Sequence, residues 1–234
     1  MDLPIKNSLD EVLLQVQTDM PRKVLFWGEG AGGISSYVAG WMAGLGIDVI
    51  ILDGANRFDP YMASSFARKA LIPPEKLLKR IRIARAFTCY QMATLIEERL
   101  VSLLKQKGEI TQQQKTWVIL LGLITPFLDE DVSEREVRPL FERSQRKIEE
   151  IAAREIPFFL FQPSNPPSAQ GRYCRPELDT GARRVGELMN SKRAYLTRRL
   201  FQLSDLIWRI CQDDEGPKVV LEKGAMKLQI VDAE

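Results

Sequence analysis

Four short, nearly unbroken apolar runs, separated by stretches of helical period, constrain this chain more than any other feature. They are Val24 to Trp27, Asp48 to Asp53 (DVIILD), Trp117 to Ile124 and Ile156 to Phe161. Each has the length of a strand, and continuous rather than alternating apolar character is what a strand covered on both faces requires. Between them the spacing predicts helices over Ser35 to Leu45, over 61–71, over Pro74 to Leu78, and from Ser133 to about Arg154. A longer one, Tyr90 to Lys107, puts Met92, Leu95, Ile96, Leu100, Leu103 and Leu104 on one side. Ile81 to Phe87 alternates like a further strand. This rhythm predicts a three-layer α/β fold, with a mostly parallel central sheet and helices on both faces. Leu206 to Cys211, Lys218 to Glu222 and Met226 to Val231 follow one another without a helix, which predicts a C-terminal antiparallel extension.

Leu9, Val12, Leu13 and Val16 stand at helical spacing behind Ser8, so residues 8–18 read as a short amphipathic helix on the sheet edge, within an N-terminal helical segment 1–20. Residues 163–181 hold four prolines and two glycines with no period, and the segment 163–186 reads as one long basic loop. Neither a repeat nor a domain boundary is visible, so 1–234 is taken as a single domain.

The chain has 234 residues, 45% hydrophobic and 27% charged, which leaves ample apolar surface for a core of that kind. No apolar run approaches the roughly 20 residues of a membrane helix, and the N-terminus lacks the basic and then apolar regions of a signal peptide. The expectation is therefore a cytoplasmic protein with no membrane partner. Cys89, Cys174 and Cys211 are isolated and the chain has 0 His, so neither a zinc cluster nor a serine or cysteine triad assembles in the usual way. Net charge is only +2, so any affinity for nucleic acid has to come from local segregation of charge.

Lys23 to Ser36 (KVLFWGEGAGGISS) passes from an apolar run through a glycine cluster towards a helix, the arrangement that presents backbone amides to phosphates. Gly28, Gly33 and Ser35 fit the spacing of a P-loop, but the position of its lysine holds Ile34. Gly28, Gly30 and Gly33 also fit G-x-G-x-x-G, with Asp53 lying 20 residues beyond Gly33 where a dinucleotide-binding protein holds a ribose hydroxyl. Gly28, Gly30 and Gly32 fit the G-x-G-x-G of proteins that bind S-adenosylmethionine. The candidate nucleotide-binding residues are thus Gly28, Gly30, Gly33, Ser35 and Asp53. One reading is ATP held without hydrolysis; the alternative is a Rossmann-like enzyme or sensor for NAD or S-adenosylmethionine. A purely structural interaction protein, binding neither, is the third.

Leu52 to Glu98 carries a more specific pattern. An acid-ended strand (Asp53) leads to a turn with Phe58 and Pro60, a helix, an Ala84, Arg85, Ala86, Phe87 strand and a helix bearing Gln91. This run resembles the corresponding region of RecA-type recombinases, above all their archaeal and eukaryotic branch. With the glycine loop before it and the strand ending at Gln162 after it, the similarity in order spans most of residues 22–211. The resemblance implies a RecA-like, P-loop fold, but the family's ATPase residues do not carry over. Its lysine falls on Ile34, its water-activating glutamate on Ala55, and its magnesium-holding aspartate on Gly122. Phosphoryl transfer depends on charges placed around the developing negative charge, so three absences together imply no hydrolysis, or very slow hydrolysis. The expected protein is a catalytically inactive accessory component of DNA repair or recombination. Its expected partners are single-stranded DNA, an active RecA-type ATPase subunit, or further copies of itself.

The resemblance also implies a DNA-holding loop after the strand that ends in Gln162. Arg172 to Arg199 contains eight cations against three anions, a net +5, so the rest of the chain sums to −3. Arg172, Tyr173, Arg175, Arg183, Arg184, Lys192 and Arg193 are the candidate DNA-binding residues, the cations neutralising phosphates and Tyr173 stacking on a base. Trp27, Trp41, Trp117 and Trp208 read as core or interface residues, Tyr195 as packed on the sheet, and Asp129 to Asp131 as a helix-start turn. Arg85, in an otherwise apolar strand, pairs either with a carboxylate in the sheet or with a partner subunit.

Overall fold

The computed structural model describes residues 6–19, 21–110, 115–163, 193–213 and 216–224. Their strands form one sheet, flanked by two helical layers. In chain order the elements are β1 (Lys6–Ser8), α1 (Leu9–Asp19), β2 (Lys23–Gly28), α2 (Ala31–Gly44), β3 (Asp48–Asp53), α3 (Pro60–Lys69), α4 (Pro74–Leu78) and β4 (Ile81–Arg85). There follow α5 (Cys89–Thr94), a π-helical turn (Leu95–Arg99), α6 (Leu100–Ile110), β5 (Thr116–Leu121), a 3-10 turn (Thr125–Leu128), α7 (Glu134–Ala152), β6 (Phe158–Pro163), α8 (Ala194–Leu203), β7 (Leu206–Asp213) and β8 (Gly216–Lys223).

The sheet runs β1-β8-β7-β2-β6-β5-β3-β4, and every pairing from β7 across to β4 is parallel. Alternate residues of the central strands face opposite helical layers, as the pleat dictates. Phe26, Ile51, Ile119 and Phe161 pack with α1, α2, α3 and α4. Leu25, Ile50, Leu120 and Leu160 pack with α5, α7 and α8. Both sides being covered explains why these strands are apolar throughout.

On the first face an aromatic row crosses three strands. Phe161 stacks on Phe26 at 5.2 Å, Phe26 on Phe159 at 6.3 Å, and Phe159 on Trp117 at 5.0 Å. On the other, α7 presents Val137, Phe141, Ile148 and Ile151 at helical spacing, and Phe141 meets Phe127 edge-on at 5.2 Å. Trp27, Trp117 and Trp208 are buried and Trp41 packs against the core, in keeping with the sequence reading.

The structure refines the expected elements in three places. Helix α2 begins at Ala31, four residues before Ser35, because Gly30 takes a left-handed conformation (φ 82) that starts the helix directly after a two-residue turn. The C-terminal extension is antiparallel as expected, β8 running against β7, while β7 itself pairs parallel with β2 because α8 carries the chain back over the sheet. Met226 to Val231 lies outside the described residues. The N-terminal segment is not helical alone; β1 pairs antiparallel with β8 and so extends the sheet before α1 begins. No helix among the described residues is long and apolar enough to cross a membrane.

Phe159 is fully buried between two rings. Phe159→Ala is expected to cost about 3 to 5 kcal/mol, read as a lowered urea midpoint with little change in slope.

Candidate functional site

The parallel strands place the turns after β2, β3, β5 and β6 along one edge of the sheet, the carboxyl edge, where open α/β proteins bind ligands. The glycine loop, Asp53, Ala55 and Gly122 all lie along that edge, but most of them are committed to the fold.

Gly28 ends β2 with φ +129, and a Cβ at this position would stand 2.8 Å from the Ile210 carbonyl oxygen. The glycine therefore lets β7 approach. Gly30 is the N-cap of α2 and offers no side chain to cap the helix. Neither Gly30 nor Gly33 has anything within 4 Å of where a Cβ would be, so space is open over the first turn. Ser35 does not face that space. It is 0% exposed and donates to Gly32 O at 2.7 Å. Ser36 also donates to Gly32 O, at 3.0 Å, and accepts from Asp59 N at 2.9 Å, tying the turn after β3 to α2. Ile34, at the place of the P-loop lysine, is turned into the apolar core beneath α2.

Asp53 is withdrawn from any ribose. It is 0% exposed and accepts from the amides of Ala55 (3.2 Å), Arg57 (3.3 Å) and Phe58 (3.0 Å), so it organises its own turn. Moreover β6 and β5 lie between β2 and β3, which separates Asp53 from the glycine loop by three strand spacings, about 14 Å. A dinucleotide fold keeps those two strands adjacent. The spacing from Gly33 to Asp53 is that of the fingerprint, but the topology behind it is different. The Arg85 guanidinium lies 3.8 Å from Asp53, which answers the question of its partner in favour of a carboxylate within the sheet.

The two other positions matched to catalytic acids face each other. Gly122 has φ +65, and a Cβ there would come to 2.5 Å from Ala55 Cβ and 2.9 Å from Ala55 N. The amides of Gly54 and Ala55 donate to Leu121 O at 2.8 and 3.3 Å, drawing the two turns together. Ala55 and Thr125 leave no room for a side chain at Gly122.

Of the candidate DNA-binding residues, Arg172, Tyr173, Arg175, Arg183, Arg184 and Lys192 lie outside the described residues. Arg193 is 8% exposed and is not presented to solvent. Its guanidinium donates to the carbonyls of Phe127 (2.6 Å), Asp129 and Val132 and sits 3.7 Å from Glu134, pinning the turn that follows β5. Sequence reasoning counted it with its basic neighbours because charge alone does not reveal a buried carbonyl partner. Tyr195 packs against the second core cluster with Arg138 over its ring at 4.9 Å. Burial, with the charge of Glu134 adding, pushes its phenol up to about 12. The side chain of Asp129 accepts from Asp131 N at 3.1 Å, a local turn ahead of α7, and no group of metal-ligating side chains occurs among the described residues.

No protein-family model matches this chain, and no curated protein matches it either.

Asp53→Ala is expected to leave three amides without their acceptor and to lower stability by about 3 kcal/mol or more, measured by chemical denaturation. A folded variant of unchanged stability would return Asp53 to the list of residues free for a ligand.

Proposed function

We propose that this chain is a non-hydrolysing relative of the RecA-type ATPases that acts as an accessory component in DNA repair or recombination. It works by binding DNA through the segment 172–199 or by docking on an active ATPase subunit. The observation that carries this reading is the packing of Ala55 against Gly122. The resemblance puts two catalytic acids at those positions, and the chain holds a backbone junction there instead. The elements of the resemblance also occur in the expected order: the acid-ended β3, the Phe58 turn, α3, β4 running into Ala86 and Phe87, and α5 with Gln91. Loss of the chemistry with retention of the layered sheet suits a protein that works by contact. Any nucleotide held at Gly30 to Gly33 would rest on backbone amides, since Ser35 and Ile34 are turned away.

Two measurements test this. Ile34→Lys, Ala55→Glu and Gly122→Asp combined are expected to show no ATP turnover and a lowered denaturation midpoint, because a side chain at 122, where φ is +65, meets Ala55 and Thr125; turnover in a stable protein would refute the closed junction. Labelled single-stranded DNA is expected to bind at low salt, with log affinity falling linearly against log salt. Replacing Arg172, Arg175, Arg183 and Arg184 together by Ala is expected to shrink that slope by about 3 for a single strand. An unaltered slope would remove this segment from the DNA surface.

A further inference from the structure

The strongest segregation of charge lies elsewhere. Residues 68–85 contain seven cations, Arg68, Lys69, Lys76, Lys79, Arg80, Arg82 and Arg85, against Glu75 alone, a net +6 that leaves −4 for all the rest. The fold gathers six of them at one corner, while Arg85 ends β4 at the carboxyl edge beside Asp53. Helix α3 leaves the carboxyl edge and ends at the opposite, amino edge with Arg68 and Lys69. A tight turn follows, in which Ile72 N reaches Ala67 O, and α4 with Lys76 then delivers Lys79 and Arg80 to the foot of β4, where Val49 N bonds Arg80 O at 2.9 Å. Strand β4 is the last strand on this side of the sheet, and it carries Arg82 exposed.

Some of these cations have structural work. Arg80 donates to Gly46 O and pairs with Asp48 at 3.1 Å, and Arg85 pairs with Asp53. Arg68 donates to Ser65 Oγ at 3.1 Å and, near the end of α3, complements the helix dipole. Lys69, Lys76, Lys79 and Arg82 are exposed and make no ion pair or side-chain hydrogen bond among the described residues. Lys76 and Lys79 stand three apart on α4 and therefore share a face. Concentrating unneutralised charge costs self-repulsion, which a polyanion would relieve.

We infer that this corner, formed by the end of α3, α4 and β4, is a second DNA-binding surface that takes the phosphate backbone without reading sequence. It rests on the reading of the chain as a DNA-handling protein, and adds a surface built from a different set of residues. Pro163 and Arg193, which flank the 164–192 segment, are at the carboxyl edge, whereas this corner is at the amino edge, about 20 Å away along a six-residue strand. A strand of nucleic acid is favoured over an acidic protein partner by the residue types. Protein interfaces bury an apolar centre and are depleted in lysine, while this surface is rich in lysine. Two large apolar side chains stand exposed within this corner, Leu71 at 92% between α3 and α4 and Ile83 at 42% on β4, fewer than its four unpaired cations.

The test uses the full chain and labelled single-stranded DNA across a salt series. Lys69→Ala, Lys76→Ala, Lys79→Ala and Arg82→Ala combined are expected to weaken binding roughly tenfold or more at low salt and to reduce the log–log slope by about 3. Lysine-to-arginine replacement at 69, 76 and 79 is expected to preserve both. All four side chains are exposed, so an unchanged circular dichroism spectrum and midpoint identify the loss as one of contact. Affinity and slope identical to the unaltered chain would overturn the inference and leave the corner to an acidic protein partner. Because the Arg172, Arg175, Arg183 and Arg184 variant is titrated beside it, failure of one surface is read separately from failure of the other.

Discussion

Burial of the central strands on both faces is the constraint from which the rest of this structure follows. Val24 to Trp27, Val49 to Leu52 and Val118 to Leu121 are almost entirely hidden, and their backbone groups can be satisfied only by neighbouring strands. That demand fixes a sheet in the interior and forces the polar and charged chemistry to its two edges. At the carboxyl edge the turns are pulled so close that glycine at 28 and 122 is a condition of packing. At the amino edge the helices end and cations accumulate.

The glycine loop looks different in this setting. Gly28 makes room for the Ile210 carbonyl, Ile34 is core, and Ser35 and Ser36 both bond Gly32 O. Asp53 holds three amides of its own turn. What remains open is the first turn of α2 above Gly30 and Gly33. The turns after β3 and β5 close on one another as well, with Gly122 set directly against Ala55.

Much of the layering was legible in the sequence. Unbroken apolar runs announced strands covered on both faces, and the helical spacing of Val137, Phe141, Ile148 and Ile151 announced a helix lying on them. Short-range signals were less faithful. The helical period after the glycines points to a start at Ser35, because periodicity does not report a left-handed Gly30 that starts α2 at Ala31. The spacing from Gly33 to Asp53 matched a dinucleotide fingerprint, but spacing along the chain is blind to two strands inserted between β2 and β3.

The sequence by itself determined the class of fold, since hydrophobic period is a local property of the chain. Only the tertiary structure decided which polar groups are spent and which are free. Arg193, Ser35 and Asp53 are consumed by carbonyls and amides brought from elsewhere, whereas Lys69, Lys76, Lys79 and Arg82 are left exposed together at one corner of the sheet. That division depends on strand order and on which turns meet in space, and neither is written in the spacing of residues along the chain.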